Sequence, residues 1–218
     1  MIVGPMGCNM SNKISTYQDI LKHAFNLHYI NKSDVWTRDI GMRILPLLVK
    51  GRLRFGTETR ILDIGCGSGL DAQIYSSLCH SVVGIDLFSH PEWIDIMKNF
   101  NNVTFKNGDF LSMDKLSENY HIIIDNGCFH HQQASDWSVY LAKIEQLLNV
   151  TGTLVLSTFF DEQSATYIDS NQRIHHYLSN KDLINLMQKY NFRVIDNIYI
   201  YRQHHDNYYR ISFCRKRI

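Results

Sequence analysis

The segment Asp63-Ile64-Gly65-Cys66-Gly67-Ser68-Gly69 sets three alternating glycines between the apolar run Arg60 to Ile64 and a helical window that opens at Leu70. Glycines so placed let the chain turn sharply and bring its backbone close to a ligand, and a helix start behind them offers free N–H groups and a positive dipole end. Such a loop binds a nucleotide-like group. A dinucleotide site would carry its last glycine at position 70, which is Leu70 here, and Asp63 inside the strand has no part in holding a pyrophosphate. A nicotinamide oxidoreductase is thereby disfavoured. Acids also close later apolar runs: Asp86 before Leu87, Asp109 before Phe110, and Asp125 before Asn126-Gly127-Cys128, with His130 and His131 just beyond.

These residues need strands to carry them. From Tyr17 to Lys50 the apolar spacing is helical, with a break at Asn31 to Asp34. After Gly51 short β-branched runs alternate with helical windows, as in parallel βαβ units. Strands are expected at Arg60–Ile64, Ser81–Asp86, Val103–Lys106, His121–Asp125 and Thr153–Ser157, with Thr151-Gly152 as the turn before the last. Helices are expected from Leu70 to Cys79, from Pro91, from Ala134 to Asn149 and from Ser179 to Tyr190. Phe192 to Tyr201 and Tyr208 to Cys214 then form a terminal hairpin across His204 to Asn207.

An acid-x-Gly-x-Gly-x-Gly motif after a first strand, with Asp86 about 20 residues on, resembles the opening of the class I S-adenosylmethionine-dependent methyltransferases; the likeness runs from about Arg60 to Cys214. It implies an α/β, Rossmann-like sheet of seven strands, mostly parallel with an antiparallel terminal hairpin, and helices on both faces. It implies S-adenosyl-L-methionine as cofactor, held by Asp63, Gly65, Cys66, Gly67 and Gly69, with Asp86 and Leu87 at the ribose. Asp109 and Phe110 would meet the adenine, and Asp125, Asn126 and Gly127 the methionine end. The phrase Asp-Asn-Gly-Cys-Phe-His-His resembles the loop of small-molecule methyltransferases of the thiol, thiopurine and tellurite-resistance groups, unlike the Asn/Asp-Pro-Pro-Tyr loop of enzymes that methylate nucleic-acid amines.

The sulfonium is already an activated donor, so the protein must align the acceptor and free its lone pair. His130 and His131 are the candidate bases, the alternative being helix capping. Residues 1–55 are expected to form a helical lid on a methyltransferase domain of residues 56–218, with Tyr17, Tyr29 and Trp36 meeting the acceptor or cofactor. His175 and Tyr177, after the fifth strand, are further candidates to line the acceptor pocket. The Tyr-rich hairpin, with Tyr199, Tyr201, Tyr208 and Tyr209, is explained by strand propensity alone.

Composition sets the outer limits. With 218 residues, 44% hydrophobic, and a net charge of +1, the chain fits one ordinary globular domain. The charge balance weighs against a long polynucleotide substrate, and Arg215-Lys216-Arg217 reads as a solvated chain end. Cys8, Cys66, Cys79, Cys128 and Cys214 are odd in number and scattered, as free thiols of a cytoplasmic protein would be. No apolar run approaches the roughly 20 residues of a membrane span. The pairs His175-His176 and His204-His205 have no zinc-site spacing, and neighbours on a strand face opposite ways, so no metal is expected. Three functions stay open: a methyltransferase acting on O, N or S of a small molecule, one acting on RNA or protein, and a non-catalytic module that only binds the cofactor.

Overall fold

The computed structural model describes residues 16–114, 116, 119–202 and 205–217, with Ile40 described by its backbone only. Cys8 and His204 lie outside the described residues.

The alternating runs form strands β1 (Arg60–Ile64), β2 (Ser81–Asp86), β3 (Val103–Asn107), β4 (Tyr120–Asn126) and β5 (Leu148–Phe160), ordered β3-β2-β1-β4-β5 and paired in parallel. The period of two within each strand divides the core. Leu62, Ile64, Ile123, Leu154 and Leu156 pack with α6 (Trp137–Leu147) and α7 (Asn180–Lys189) on one face. Ile61, Val82, Ile122, Ile124 and Val155 pack with α3 (Leu45–Arg52), α4 (Leu70–Ser76) and α5 (Glu92–Asn99) on the other. Strands buried on both faces are what near-continuous apolar runs predict. The terminal hairpin is β8 (Phe192–Arg202) with β9 (Asn207–Lys216), and β9 lies antiparallel along β5.

Three features depart from the sequence reading. The sheet has nine strands among the described residues, because β6 (Ala165–Ile168) and β7 (Ile174–Leu178) add a second hairpin. Pairing of β4 with β5 ends at Asn126 and Ser157, and β7 takes up the freed edge at Phe159 and Phe160. The hairpin thus stands over the carboxyl end of β4, where ligands of open α/β sheets bind. Second, Thr151-Gly152 is no turn between elements; it lies within β5, where register shifts between Tyr120 and Ile122. Third, the helical stretch beyond Asp34 is broken into a 3-10 turn (Val35–Thr37), α2 (Ile40–Arg43) and α3, for Pro46 near the start of α3 supplies no N–H to the preceding turn.

Ahead of these, α1 (Tyr17–Ile30) starts on a capping box in which Thr16 and Asp19 satisfy each other's backbone N–H groups. At the other terminus Lys216 is not a solvated tail residue but pairs with Glu145 at 3.4 Å. Among the described residues no helix is long and apolar enough to cross a membrane.

Candidate active site

Gly65, Gly67 and Gly69 all have positive φ (72°, 53° and 81°), a backbone region that L side chains seldom adopt. The loop they form is pinned from three directions. Gly65 and Cys66 donate N–H to the Ile85 carbonyl at 2.7 and 3.0 Å, Gly67 donates to Asp86 Oδ2 at 2.8 Å, and Trp93 Nε1 donates to the Gly67 carbonyl at 2.8 Å. Asp86 also receives the Phe88 N–H on Oδ1 at 3.0 Å.

The loop borders a cavity of about 510 Å³ at the carboxyl ends of β1, β2 and β4. Asp63, Gly65, Cys66, Gly67, Asp86 and Leu87 line it, as do Asp109, Phe110, Asn126 and Gly127. Leu70, whose side chain excludes a dinucleotide fingerprint, lines it too. Gly69 does not: it is a packing glycine, where a Cβ would meet Phe105 Cζ at 2.5 Å.

Asp125 is likewise corrected. Fully buried and away from the cavity wall, it spends its carboxylate on its own loop, accepting N–H bonds from Gly127, Cys128 and Phe129 and the Tyr140 hydroxyl at 2.6 Å. Burial pushes its pKa up to about 6 against the opposing pull of those donors. Because this folded-state value lies above the ordinary 3.8, its contribution to stability is full below about pH 4 and is lost as pH rises through 6. Asp125→Asn keeps an acceptor for the loop N–H groups and removes the charge. The stability of wild type relative to this variant should therefore fall between pH 4 and 7 in urea titrations. A constant difference over that range would show that folding leaves the Asp125 pKa unshifted.

The electrostatics of the cofactor end favour a cation. Asp63 is buried, no hydrogen bond or ion pair to its carboxylate is found among the described residues, and burial with the charges of Asp71, Asp125 and Asp86 holds its pKa well above normal. The neighbouring Asp71 is already neutralised by Arg43 at 2.5 Å. A ligand carrying ammonium or sulfonium charge would relieve Asp63, so the residues present suit S-adenosylmethionine.

The far end of the cavity is aromatic. His130, His131, His175 and Tyr177 line it, joined by Phe159, Tyr167, Tyr209 and Arg202, which the sequence reading did not assign to a site. Tyr209 therefore does more than fill a strand. Burial first, then neighbouring histidines, keeps His130 well below its usual pKa and brings His131 down to about 3. Burial thus favours the uncharged form of both rings. His131 Nδ1 faces the Ile174 carbonyl at 2.7 Å and must carry the proton there, which leaves Nε2 as the lone-pair nitrogen.

Segments before β1 cover this cavity. Tyr29 and Trp36 line it, joined by a 3.2 Å bond from Trp36 Nε1 to the Tyr29 hydroxyl, and Asn126 Nδ2 donates to the Met42 carbonyl at 3.1 Å. Tyr17 does not line it. Its hydroxyl clamps the loop after β4 to β7, donating to the His131 carbonyl at 2.7 Å and accepting the Ile174 N–H at 2.8 Å. Tyr17→Phe strands both main-chain groups and should cost about 1–3 kcal/mol, read as a lower Tm; an unchanged Tm would mean that water replaces the hydroxyl.

A glycine loop and acid-lined cavity at the carboxyl edge of a mostly parallel sheet, closed by an antiparallel hairpin, define the Rossmann-like S-adenosylmethionine-dependent methyltransferases. Residues 36–197 match the methyltransferase domain family, and the chain belongs to it. Among its relatives is an uncharacterized methyltransferase of Schizosaccharomyces pombe, 29% identical over 126 residues, or 56% of this chain and 84% of the relative. Among solved structures, the Burkholderia thailandensis 1,6-didemethyltoxoflavin-N1-methyltransferase, with bound 1,6-didemethyltoxoflavin and S-adenosylhomocysteine, is similar over 100% of this chain and 94% of its own, with TM-score 0.85 and 26% identity. A TehB-like methyltransferase of Corynebacterium glutamicum shares the fold at TM-score 0.59 and 15% identity, over 91% of this chain and 100% of its own. This chain is an S-adenosylmethionine-dependent methyltransferase with S-adenosyl-L-methionine as its cofactor.

Proposed function

We propose that the chain methylates an O, N or S atom of a small molecule by direct in-line displacement. The observation that carries this reading is one covered cavity with two chemically distinct ends, acidic beside the glycine loop and aromatic beneath the β6–β7 hairpin. Its volume is in the range of small-molecule sites. The Burkholderia enzyme, similar along the whole chain, is crystallised with 1,6-didemethyltoxoflavin, which supports the same reading.

In this scheme the cofactor supplies an electrophilic methyl group. Asp86 and Leu87 hold its ribose, Asp109 and Phe110 its adenine, and Asp63, Gly65, Cys66, Gly67, Asn126 and Gly127 its methionine end. Of the N-terminal segment, the described residues 16–55 act as a lid that keeps water from the reacting centre through Tyr29 and Trp36. His131 orients the acceptor with its free Nε2, while His130, His175 and Tyr177 shape the wall. Incubation with labelled donor and separate small-molecule, RNA and protein pools tests the proposal. Label confined to RNA or protein would overturn it, and tight cofactor binding without transfer to any pool would identify a non-catalytic module.

A further inference from the structure

Between α1 and α3 the chain buries almost nothing. Among the described side chains of residues 31–44 only Gly41 is buried, so the segment owes little of its place to apolar packing. Lys32, at φ 51°, turns the chain at one end, and Pro46 interrupts helical bonding just past the other. Such a segment opens at low cost unless polar groups tie it down.

Three ties hold it, all within residues 39–43. Arg202 Nε donates to Asp39 Oδ2 at 2.8 Å, Asn126 Nδ2 donates to the Met42 carbonyl at 3.1 Å, and Arg43 Nη1 pairs with Asp71 Oδ1 at 2.5 Å. They land on three separate places: β8 at the acceptor end, the end of β4, and the first turn of α4 behind the glycine loop. Arg202, Asn126 and Asp71 all line the cavity, so residues 39–43 reach across it from the cofactor end to the acceptor end. Asp39 makes the firmest seat. Its Oδ1 accepts the Gly41 N–H at 2.8 Å, Arg202 lies 4.3 Å over the Tyr209 ring, and a Cβ on Gly41 would come within 2.9 Å of Tyr209 Cδ2. The Arg202 and Asp39 side chains are only 7% and 15% exposed, which shields this pair from the water that weakens surface ion pairs. Each tie joins protein to protein, so each acts in the free and the loaded enzyme alike.

We infer that residues 39–43 are the gate through which the cofactor enters and its spent form leaves, with the Asp39–Arg202 and Arg43–Asp71 ion pairs as its latches. This rests on the lid reading of residues 16–55 above and does not depend on the acceptor. Exchange through a gate scales with the fraction of time it is open, in both directions. A residue that holds a ligand changes mainly the rate of departure. A latch changes entry and departure together and leaves their ratio alone.

Stopped-flow tryptophan fluorescence of the full chain can follow S-adenosylhomocysteine in and out, since Trp36 lines the cavity and Trp93 bonds the Gly67 carbonyl. Asp39→Asn removes the charge of one latch and keeps an acceptor for the Gly41 N–H. Gly41→Ala pushes the segment off Tyr209 without changing any charge, and neither residue lines the cavity. Arg43→Gln/Asp71→Asn removes the second latch and leaves no lone charge behind. In all three variants kon and koff should each rise by roughly fivefold or more, and in the first two Kd should stay within about twofold of wild type. A faster koff with an unchanged kon overturns the inference, for the pairs would then serve affinity. Backbone hydrogen exchange over residues 39–43 separates the remaining outcomes. Unchanged rates with unchanged exchange show that the pairs do not hold the segment, which overturns the latches and leaves the lid reading standing. Unchanged rates with faster exchange show that the segment opens away from the route, which overturns the lid reading as well.

Discussion

Asp86→Ala should weaken S-adenosylhomocysteine binding by about 1.5–3 kcal/mol, roughly 10- to 150-fold in Kd. The carboxylate does two jobs at once. Oδ2 holds the Gly67 N–H and Oδ1 the Phe88 N–H, so the glycine loop and the turn after β2 are both fastened to it. A carboxylate has about four acceptor directions, and two remain for ribose hydroxyls on the cavity side. Alanine removes all four and frees the loop as well. Asp86→Asn, which keeps one oxygen and the shape, should fall between the two in isothermal titration. Wild-type affinity in Asp86→Ala would show that the ribose is held elsewhere.

The second large effect concerns stability. Gly65 has φ +72°, and a Cβ there would overlap Cys128 Sγ. Placing alanine in the left-handed region costs about 1–2 kcal/mol, and overpacking a closed site adds about 1–3 kcal/mol. Gly65→Ala should therefore lose about 2–5 kcal/mol, lowering Tm by roughly 4–20 °C for a chain of this size. The two costs can be separated. Cys128 Cβ lies 3.6 Å from the added atom, an ordinary contact, so Gly65→Ala/Cys128→Ala should recover the packing part and keep only the backbone part. No recovery in the double variant would place the whole cost in the backbone.

Both predictions concern residues that the sequence marked. The glycine loop, Asp86 and Asp109 were legible because strand, turn and helix are local, and a ligand-binding loop between them must use residues of particular types. Asp125 shows the limit of that logic. An acid at a strand end is equally suited to bind a ligand or to cap its own loop, and three N–H groups within four residues settle the matter in favour of the loop. Tyr17 is a similar case, for aromatic character alone cannot tell a stacking surface from a clamp between His131 and Ile174. Gly69 shows the same ambiguity, since a missing side chain serves a ligand or a neighbour such as Phe105 alike.

The acceptor end was largely hidden. Arg202 and Asp39 are 163 positions apart and meet only because β8 runs back beside the segment after the 3-10 turn Val35–Thr37. Phe159, Tyr177 and Tyr209 become one row only through the pairing of β5 with two partners beyond the end of β4. By itself the sequence determined the methyl donor, since the acid-and-glycine pattern is contiguous and its chemistry is carried by backbone conformation. Tertiary structure decided which aromatic rings face the cavity, which histidines are held uncharged and which cations are already paired. Burial and register set those properties, and both belong to strands brought together from distant parts of the chain.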